Sequence, residues 1–460
     1  MANRDLTVGS PGRIIRSYCL PLFGSVFFQQ MYNLADSFVA GRFISENALA
    51  AVGNSYELTL IFIALATGCN TGCSITTARY FGAKDYAKVR TAITTSLIAT
   101  AVVWAALTLF GVFGSAHMLR AINTPEAIFD DSLIYIRIYV GGLAFMYFYN
   151  VATGIFSALG DSKTPFYFLA ISSTANVILD IVFVTVFNMG VAGVGWATLI
   201  CQGAACISAM LTVMRKVRKL PEFEGDAPFI TRNMLNEFIS VAAPSTLQQV
   251  FVAAGNIIIQ GVVNAYGAAV TAGYCAAVKM NNLVTACFST IGGGVSNYTS
   301  QNLGADRPER VRQGFRESVK LTWLIALVMC LLYELFPAQL VNLFLNDSSS
   351  AETLQTGIDF LRIAAPFYFA PALKIMCDSI LCGAKKMNYV VFSIFLDLGL
   401  RASIAAACSA AFGTAFSVWF AWPIGWVSAA VITCFLYQNG LKTIYGAIGG
   451  NDAVKAVKCD

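Results

Sequence analysis

Charged side chains are scarce in this sequence. Asp, Glu, Lys and Arg make up 12% of its 460 residues, about half the share usual in soluble domains, which excludes an ordinary soluble globular protein. Histidine is scarcer still. His117 is the single one, and it falls in a segment outside the apolar runs, so a His-based metal centre or a Ser–His or Cys–His nucleophile pair has no basis. No paired metal-ligand motif and no serine–base pair replaces them, and the chain reads as a non-enzyme without a cofactor. Cysteines at paired loop positions are also missing. The 13 Cys sit mostly inside apolar runs, as Cys69, Cys73, Cys201, Cys206, Cys287 and Cys434 do. They act as small apolar side chains rather than a disulfide framework. The start, Met1 to Gly12, is polar and the first apolar run is too long for a signal core, so no cleavable signal is expected.

What the sequence does have is long apolar runs. It is 57% hydrophobic with a mean hydropathy of +0.66. Twelve runs approach the ~20 residues that span a bilayer: 15–40, 48–78, 92–116, 131–158, 165–188, 193–214, 237–263, 270–297, 318–342, 357–382, 389–411 and 415–437. In lipid every backbone group must be satisfied within the segment or a closed barrel, and runs this long and continuous mean helices. The fold class is therefore all-α integral membrane, with twelve transmembrane helices.

Basic residues set the orientation. With the amino terminus inside, the inner segments hold Arg4, Arg13 and Arg16; Arg79, Lys84, Lys88 and Arg90; Lys163; Arg215 to Lys219 and Arg232; Arg307 to Lys320; Lys385 and Lys386; and Lys442, Lys455 and Lys458. The outer segments hold Arg42 and Arg120 alone. This positive-inside bias places both termini in the cytoplasm and explains the basic runs without a nucleic-acid partner.

Two stretches say nearly the same thing. Thr76-Thr77-Ala78-Arg79-Tyr80-Phe81-Gly82-Ala83-Lys84-Asp85 runs on to Val89-Arg90, and Thr299-Ser300-Gln301-Asn302-Leu303-Gly304-Ala305-Asp306-Arg307 to Val311-Arg312. Pro21 matches Pro244, Gly160 with Lys163 matches Gly383 with Lys386, and Arg137 matches Arg362 across a short gap. Six spans per repeat return the chain to the starting side. The halves are therefore parallel repeats about a pseudo-twofold axis along the membrane normal. The expected division is 1–214, an amino-terminal six-helix lobe; 215–236, a cytoplasmic linker with Pro221 and Pro228; and 237–460, a carboxy-terminal six-helix lobe. A proline inside a helix removes a backbone bond, so the first and seventh spans are the candidate mobile elements.

Buried polar residues point to the site. An ionised group at the bilayer centre costs roughly 2.5–3.5 kcal/mol on insertion scales and usually serves a cavity or ion path. In the first span Gln29, Tyr32, Asn33 and Asp36 share a face at i, i+3, i+4 and i+7. In the fifth, Ser173, Asn176 and Asp180 do the same, and the sixth adds Thr198 and Gln202. Carboxylate, amide and hydroxyl oxygens suit Na⁺ by analogy with other hard cations, which makes Asp180, Asn176 and Thr198 a candidate Na⁺ set. A desolvated carboxylate also takes up a proton. Gln29, Asn33, Gln202 and Lys279 are candidates for a substrate cavity, with snorkelling the alternative for Lys279. The second half matches neither acid. Its own, Asp378 and Asp397, lie four residues from Lys374 and Arg401, a spacing that suits structural ion pairs.

At these residues the chain resembles the multidrug and toxic compound extrusion (MATE) family, in its DinF-like branch. The resemblance runs through nearly the whole chain. It is carried by Tyr32-Asn33-Leu34-Ala35-Asp36-Ser37 with Ala40-Gly41-Arg42, the Phe81-Gly82-Ala83 and Leu303-Gly304-Ala305 turns, Leu159 to Pro165, and Asn176-Val177-Ile178-Leu179-Asp180. The resemblance implies a V-shaped, twelve-helix monomer of the prokaryotic plasma (inner) membrane. Its function would be export of small organic, cationic or amphiphilic compounds by antiport against H⁺ or Na⁺. Asp36 and Asp180 would be the coupling carboxylates, with Tyr32, Asn150, Asn176 and Thr198 around them. The family's other branch relies on an acid in the seventh span, and Val241 to Val263 contains none. The alternative is a lipid-linked saccharide flippase of the same wider superfamily, for which a basic cavity facing a pyrophosphate would be expected.

Overall fold

The computed structural model describes residues 4–39, 46–122, 124–221, 227–345 and 350–448, and among these every regular element is helical. The first half comprises α1 (Pro11–Val39), α2 (Glu46–Gly82), α3 (Tyr86–Ala121), α4 (Glu126–Gly141), α5 (Leu143–Ala158), α6 (Lys163–Thr185) and α7 (Gly190–Arg218). The second comprises α8 (Arg232–Asn264), α9 (Ala268–Gly304), α10 (Pro308–Leu335), short α11 (Pro337–Asn342), α12 (Ala351–Ala364), α13 (Phe369–Gly383), α14 (Met387–Phe412), short α15 (Ala415–Val418) and α16 (Ala421–Ile448).

These elements make the twelve spans of a two-lobed all-α membrane protein, each expected run coinciding with one helix or one broken helix. Among the described residues, eight helices are long and apolar enough to cross alone, and two bent pairs do so jointly. Of the two remaining spans, α1 and α9, α9 carries Lys279, Asn281 and Asn282 within the helix. The two breaks are where the sequence reading fell short. The fourth span of each half is two helices, α4 and α5 meeting at 49°, α12 and α13 at 55°. Gly142 sits at the first break and Ala365–Phe367, which includes Pro366, at the second. Both residue types interrupt a helix, one through flexibility and one by lacking an N–H.

The sequence repeat is a repeat of turns. After α2, Lys84 adopts φ +58°, and after α9, Asp306 adopts φ +52°. The hydrogen bonds correspond as well: Lys84 N–H to Phe81 O and Asp85 N–H to Tyr80 O, against Asp306 N–H to Leu303 O and Arg307 N–H to Asn302 O. The same pair of bonds closes α5 at Gly160 (φ +75°) and α13 at Lys385 (φ +61°). Each is a left-handed residue that caps a helix by returning two amides to its last carbonyls.

Compact packing divides the chain into Met1–Leu6 with Tyr18–Thr246, and Thr7–Ser17 with Leu247–Asp460. In the first unit α2 packs on α5, and α7 on α5 and α6. Tyr147 and Phe62 are fully buried there, and the Tyr147 hydroxyl donates to the Phe62 carbonyl at 2.9 Å. In the second unit α9 packs on α12 and α13, and α16 on α13 and α14. Its core is aromatic: Tyr274 stacks on Trp419 at 5.2 Å, and Phe360 meets Trp419 and Trp422 edge-on. Lipid tails are as apolar as these side chains, so shape fit and such buried hydrogen bonds hold the helices together rather than escape from water.

Candidate functional site

Helix α6 turns its polar side inward. Ser173, Asn176, Asp180 and Val184 are buried along one face, with Asn176 and Asp180 essentially inaccessible. Ile171 and Ile178 are exposed on the other side, as expected of a helix whose apolar face meets lipid. The covering element is α7. Gly193, Gly195 and Ala197 are buried on it, and small residues let two helices approach closely. At that contact the Asn176 Nδ2 donates to Thr198 Oγ1 at 3.4 Å. A carboxylate, an amide and a hydroxyl thus lie in the protein interior, all oxygen-bearing groups a proton or a hard monovalent cation accepts.

Thr198 also lines a narrow crevice between α4 and α7, about 10 Å³ in volume and so barely wide enough for one water molecule. Gln202, one turn on, shares the wall with Tyr135, Tyr139 and Gly142. The structure therefore brings Asn176, Thr198 and Gln202 together and buries Asp180 on the same α6 face. Sequence reasoning missed Tyr135 and Tyr139, whose i, i+4 spacing on a predicted span was the available signal.

The other candidates are placed less centrally. Asn150 on α5 donates its Nδ2 to the Met146 carbonyl of its own helix at 2.9 Å. Gln29 is exposed. Tyr32, Asn33 and Asp36 fall in α1, but their side chains lie outside the described residues. Lys279 belongs to the second unit, exposed on α9, with its ammonium 5.7 Å from the Phe344 ring centroid.

The second unit's acids are paired as their spacing suggested and joined in a way it did not. Lys374 Nζ lies 2.9 Å from Asp378 Oδ2, and Arg401 Nε lies 3.2 Å from Asp397 Oδ1. Lys374 also reaches Asp397 at 3.9 Å, linking α13 to α14. Ser393 donates to Asp378 at 3.3 Å and is itself within 2.7 Å of Thr433 on α16. The Arg401 guanidinium stands 4.7 Å over the Trp422 ring, and a Cβ at Gly425 would collide with the aliphatic stem of the Arg401 side chain at its Cγ. Two acids and two bases, all buried, form a neutral chain.

A further buried pair lies at the turn before α6. Asp161 Oδ2 is 2.7 Å from Lys216 Nζ, and its carboxyl accepts from the Thr164 hydroxyl and from the Lys163 and Thr164 amides at the start of α6. Burial alone would push this carboxyl up. The Lys216 and Thr164 bonds outweigh it and hold the group below the usual carboxylate range. Among the described residues, no cluster of three or more His, Cys, Asp or Glu side chains could hold a metal ion.

Comparison with known proteins agrees with this architecture. A family model, MatE, matches residues 21–182 and again 244–407, the two matches opening at Pro21 and Pro244. "Probable multidrug resistance protein YoeA" of Bacillus subtilis is 26% identical across 86% of this chain and 87% of its own length. The "FAD transporter" of Shewanella oneidensis is 23% identical across 81% of this chain and 82% of its own. Among solved structures, the outward-facing conformation of a multidrug resistance MATE family transporter of the MOP superfamily superposes with a TM-score of 0.90. It is 22% identical and covers 96% of this chain and 99% of that one.

Proposed function

The chain belongs to the MatE family, and on that premise we propose that it is a cation-coupled exporter of small organic compounds working by alternating access. Members of that family are transporters, not enzymes, and relatives are named for multidrug resistance. Cationic or amphiphilic compounds are the substrate class we assign, with H⁺ or Na⁺ as the counter-transported ion. The protein would act as a multi-pass monomer of a prokaryotic plasma membrane, of the DinF-like branch, with both termini cytoplasmic.

The observation that carries this reading is the inward polar face of α6. Placing Asp180 and Asn176 in the interior of a lipid-embedded unit is costly, and binding of a proton or Na⁺ at that carboxylate would offset the cost. Thr198, already within reach of Asn176, would complete the oxygen set, and Tyr32, Asp36 and Asn150 are the further coupling groups of the proposal. Gln202, Gln29, Asn33 and Lys279 are assigned to substrate. Loading the site would bias α1, which carries Pro21 inside the helix, between two bent forms with different substrate affinity, since only differential affinity can shift such an equilibrium. The acidic and amide character of the α6 face gives no support to a pyrophosphate-binding flippase.

The test is efflux of a fluorescent organic cation from proteoliposomes, with pH and Na⁺ gradients imposed separately. The wild type responds to one gradient, whereas Asp36→Asn and Asp180→Asn respond to neither. Undiminished gradient-driven efflux in both variants would sink the proposal.

A further inference from the structure

We propose that Cys377 and Cys434 are a peroxide-oxidisable thiol pair that fastens α13 to α16 as a disulfide. Their sulfur atoms stand 4.0 Å apart, and both are free thiols. α13 and α16 are packed neighbours, and they approach closely. A Cβ at Gly440 on α16 would meet the Leu381 side chain of α13 at 2.6 Å, so the glycine admits the contact. Closing a disulfide needs an S–S separation of about 2.05 Å with Cα atoms roughly 4.4–6.8 Å apart. From 4.0 Å the two sulfurs must close the remaining gap across the α13–α16 contact.

The pair is unequally accessible. Cys377 is fully buried. Cys434 is half-buried and lines an open crevice of about 370 Å³ whose other walls include Trp323, Phe369, Leu373, Val431 and Phe435. Such a lining rejects ions and admits apolar molecules, so the matching oxidant is an organic hydroperoxide of the kind formed in lipid.

The steps balance. The Cys434 thiolate attacks the terminal oxygen of the hydroperoxide, and the S–O bond forms as the O–O bond breaks. The departing alkoxide takes up the proton that Cys434 lost and leaves as an alcohol. Cys377 then attacks the sulfenic sulfur. The S–S bond forms, the S–O bond breaks, and hydroxide leaves with the Cys377 proton as water. Two thiols lose two electrons and one O–O bond gains them. The product would sit beside Asp378 on α13 and beside Thr433, whose partner is Ser393, so the bond would fix two helices of the ion-pair chain.

The experiment treats the full-length protein in lipid nanodiscs with cumene hydroperoxide, and separately with hydrogen peroxide, followed by thiol counting and disulfide peptide mapping. The expected result is loss of two thiols, a linked peptide joining Cys377 to Cys434, reversal by dithiothreitol, and faster reaction with the apolar reagent. In Cys377→Ala a dimedone adduct should accumulate on Cys434. The proposal is overturned if Cys434 is oxidised in the wild type without a Cys377 link, or if hydrogen peroxide reacts as fast. It also fails if Cys434 stays reduced while other thiols react. The wild-type mapping decides the matter even if the variant folds poorly.

Discussion

Replacing Lys374 by methionine keeps an unbranched side chain one atom shorter and removes the charge. In the native protein the ammonium lies 2.9 Å from Asp378 and 3.9 Å from Asp397, with all three groups buried. Asp397 retains Arg401 at 3.2 Å in the variant, whereas Asp378 retains only the Ser393 hydroxyl at 3.3 Å. The loss therefore falls on one carboxylate stranded without a base. Removing one partner of a buried pair costs about 3–5 kcal/mol, against about 0.2–1 kcal/mol for an exposed pair. Reversible unfolding in mixed detergent micelles would measure it. Because the cost is that of an uncompensated charge, the double variant Lys374→Met with Asp378→Leu should recover most of the loss, as buried pairs replaced by apolar residues often do. A single variant within about 1 kcal/mol of the wild type would refute the reasoning, since that is the value of a solvated pair. So would a double variant less stable than the single one.

Three further outcomes follow from the same structure. The folded-state pKa of Asp161 lies below its unfolded value, so its contribution is complete above the ordinary Asp range near about 4 and is lost as pH falls through the lower folded value. Asp161→Asn should flatten the acid limb of a thermal-stability profile, and an unchanged limb would dismiss that role. Tyr147→Phe removes a buried hydroxyl bonded at 2.9 Å to the Phe62 carbonyl and should cost about 1 kcal/mol; a thermal shift of zero would contradict it. Thr198→Val should weaken gradient-driven efflux while Thr198→Ser preserves it. Equal transport by the two would show that the hydroxyl is not used.

The twelve spans were legible because lipid enforces one rule, internal satisfaction of the backbone, and long apolar runs obey it visibly. The face of α6 was legible for the converse reason. Ser173, Asn176 and Asp180 recur at helical spacing where polar groups are costly, and the structure buries them together. The Lys374–Asp378 and Arg401–Asp397 pairs were legible as local i, i+4 relations. The bond from Lys374 to Asp397 was not, since it joins two helices and depends on their packing. The same holds for Tyr135 and Tyr139, which reach the Thr198 crevice only because α4 lies against α7. The 49° and 55° breaks were missed because a glycine or proline in a membrane span signals a bend without fixing its angle.

The proposed function places ion coupling at Asp180, buried on the inward face of α6. Its most direct test is the reverse of efflux. Substrate is added to one side of proteoliposomes with no ion gradient, and the resulting movement of H⁺ or Na⁺ is read with a trapped pH dye or radioactive sodium. The wild type should move one of the two ions in exchange for substrate, and Asp180→Asn should still carry substrate down its gradient while moving neither. Substrate-evoked ion movement of wild-type size in Asp180→Asn would place the coupling elsewhere.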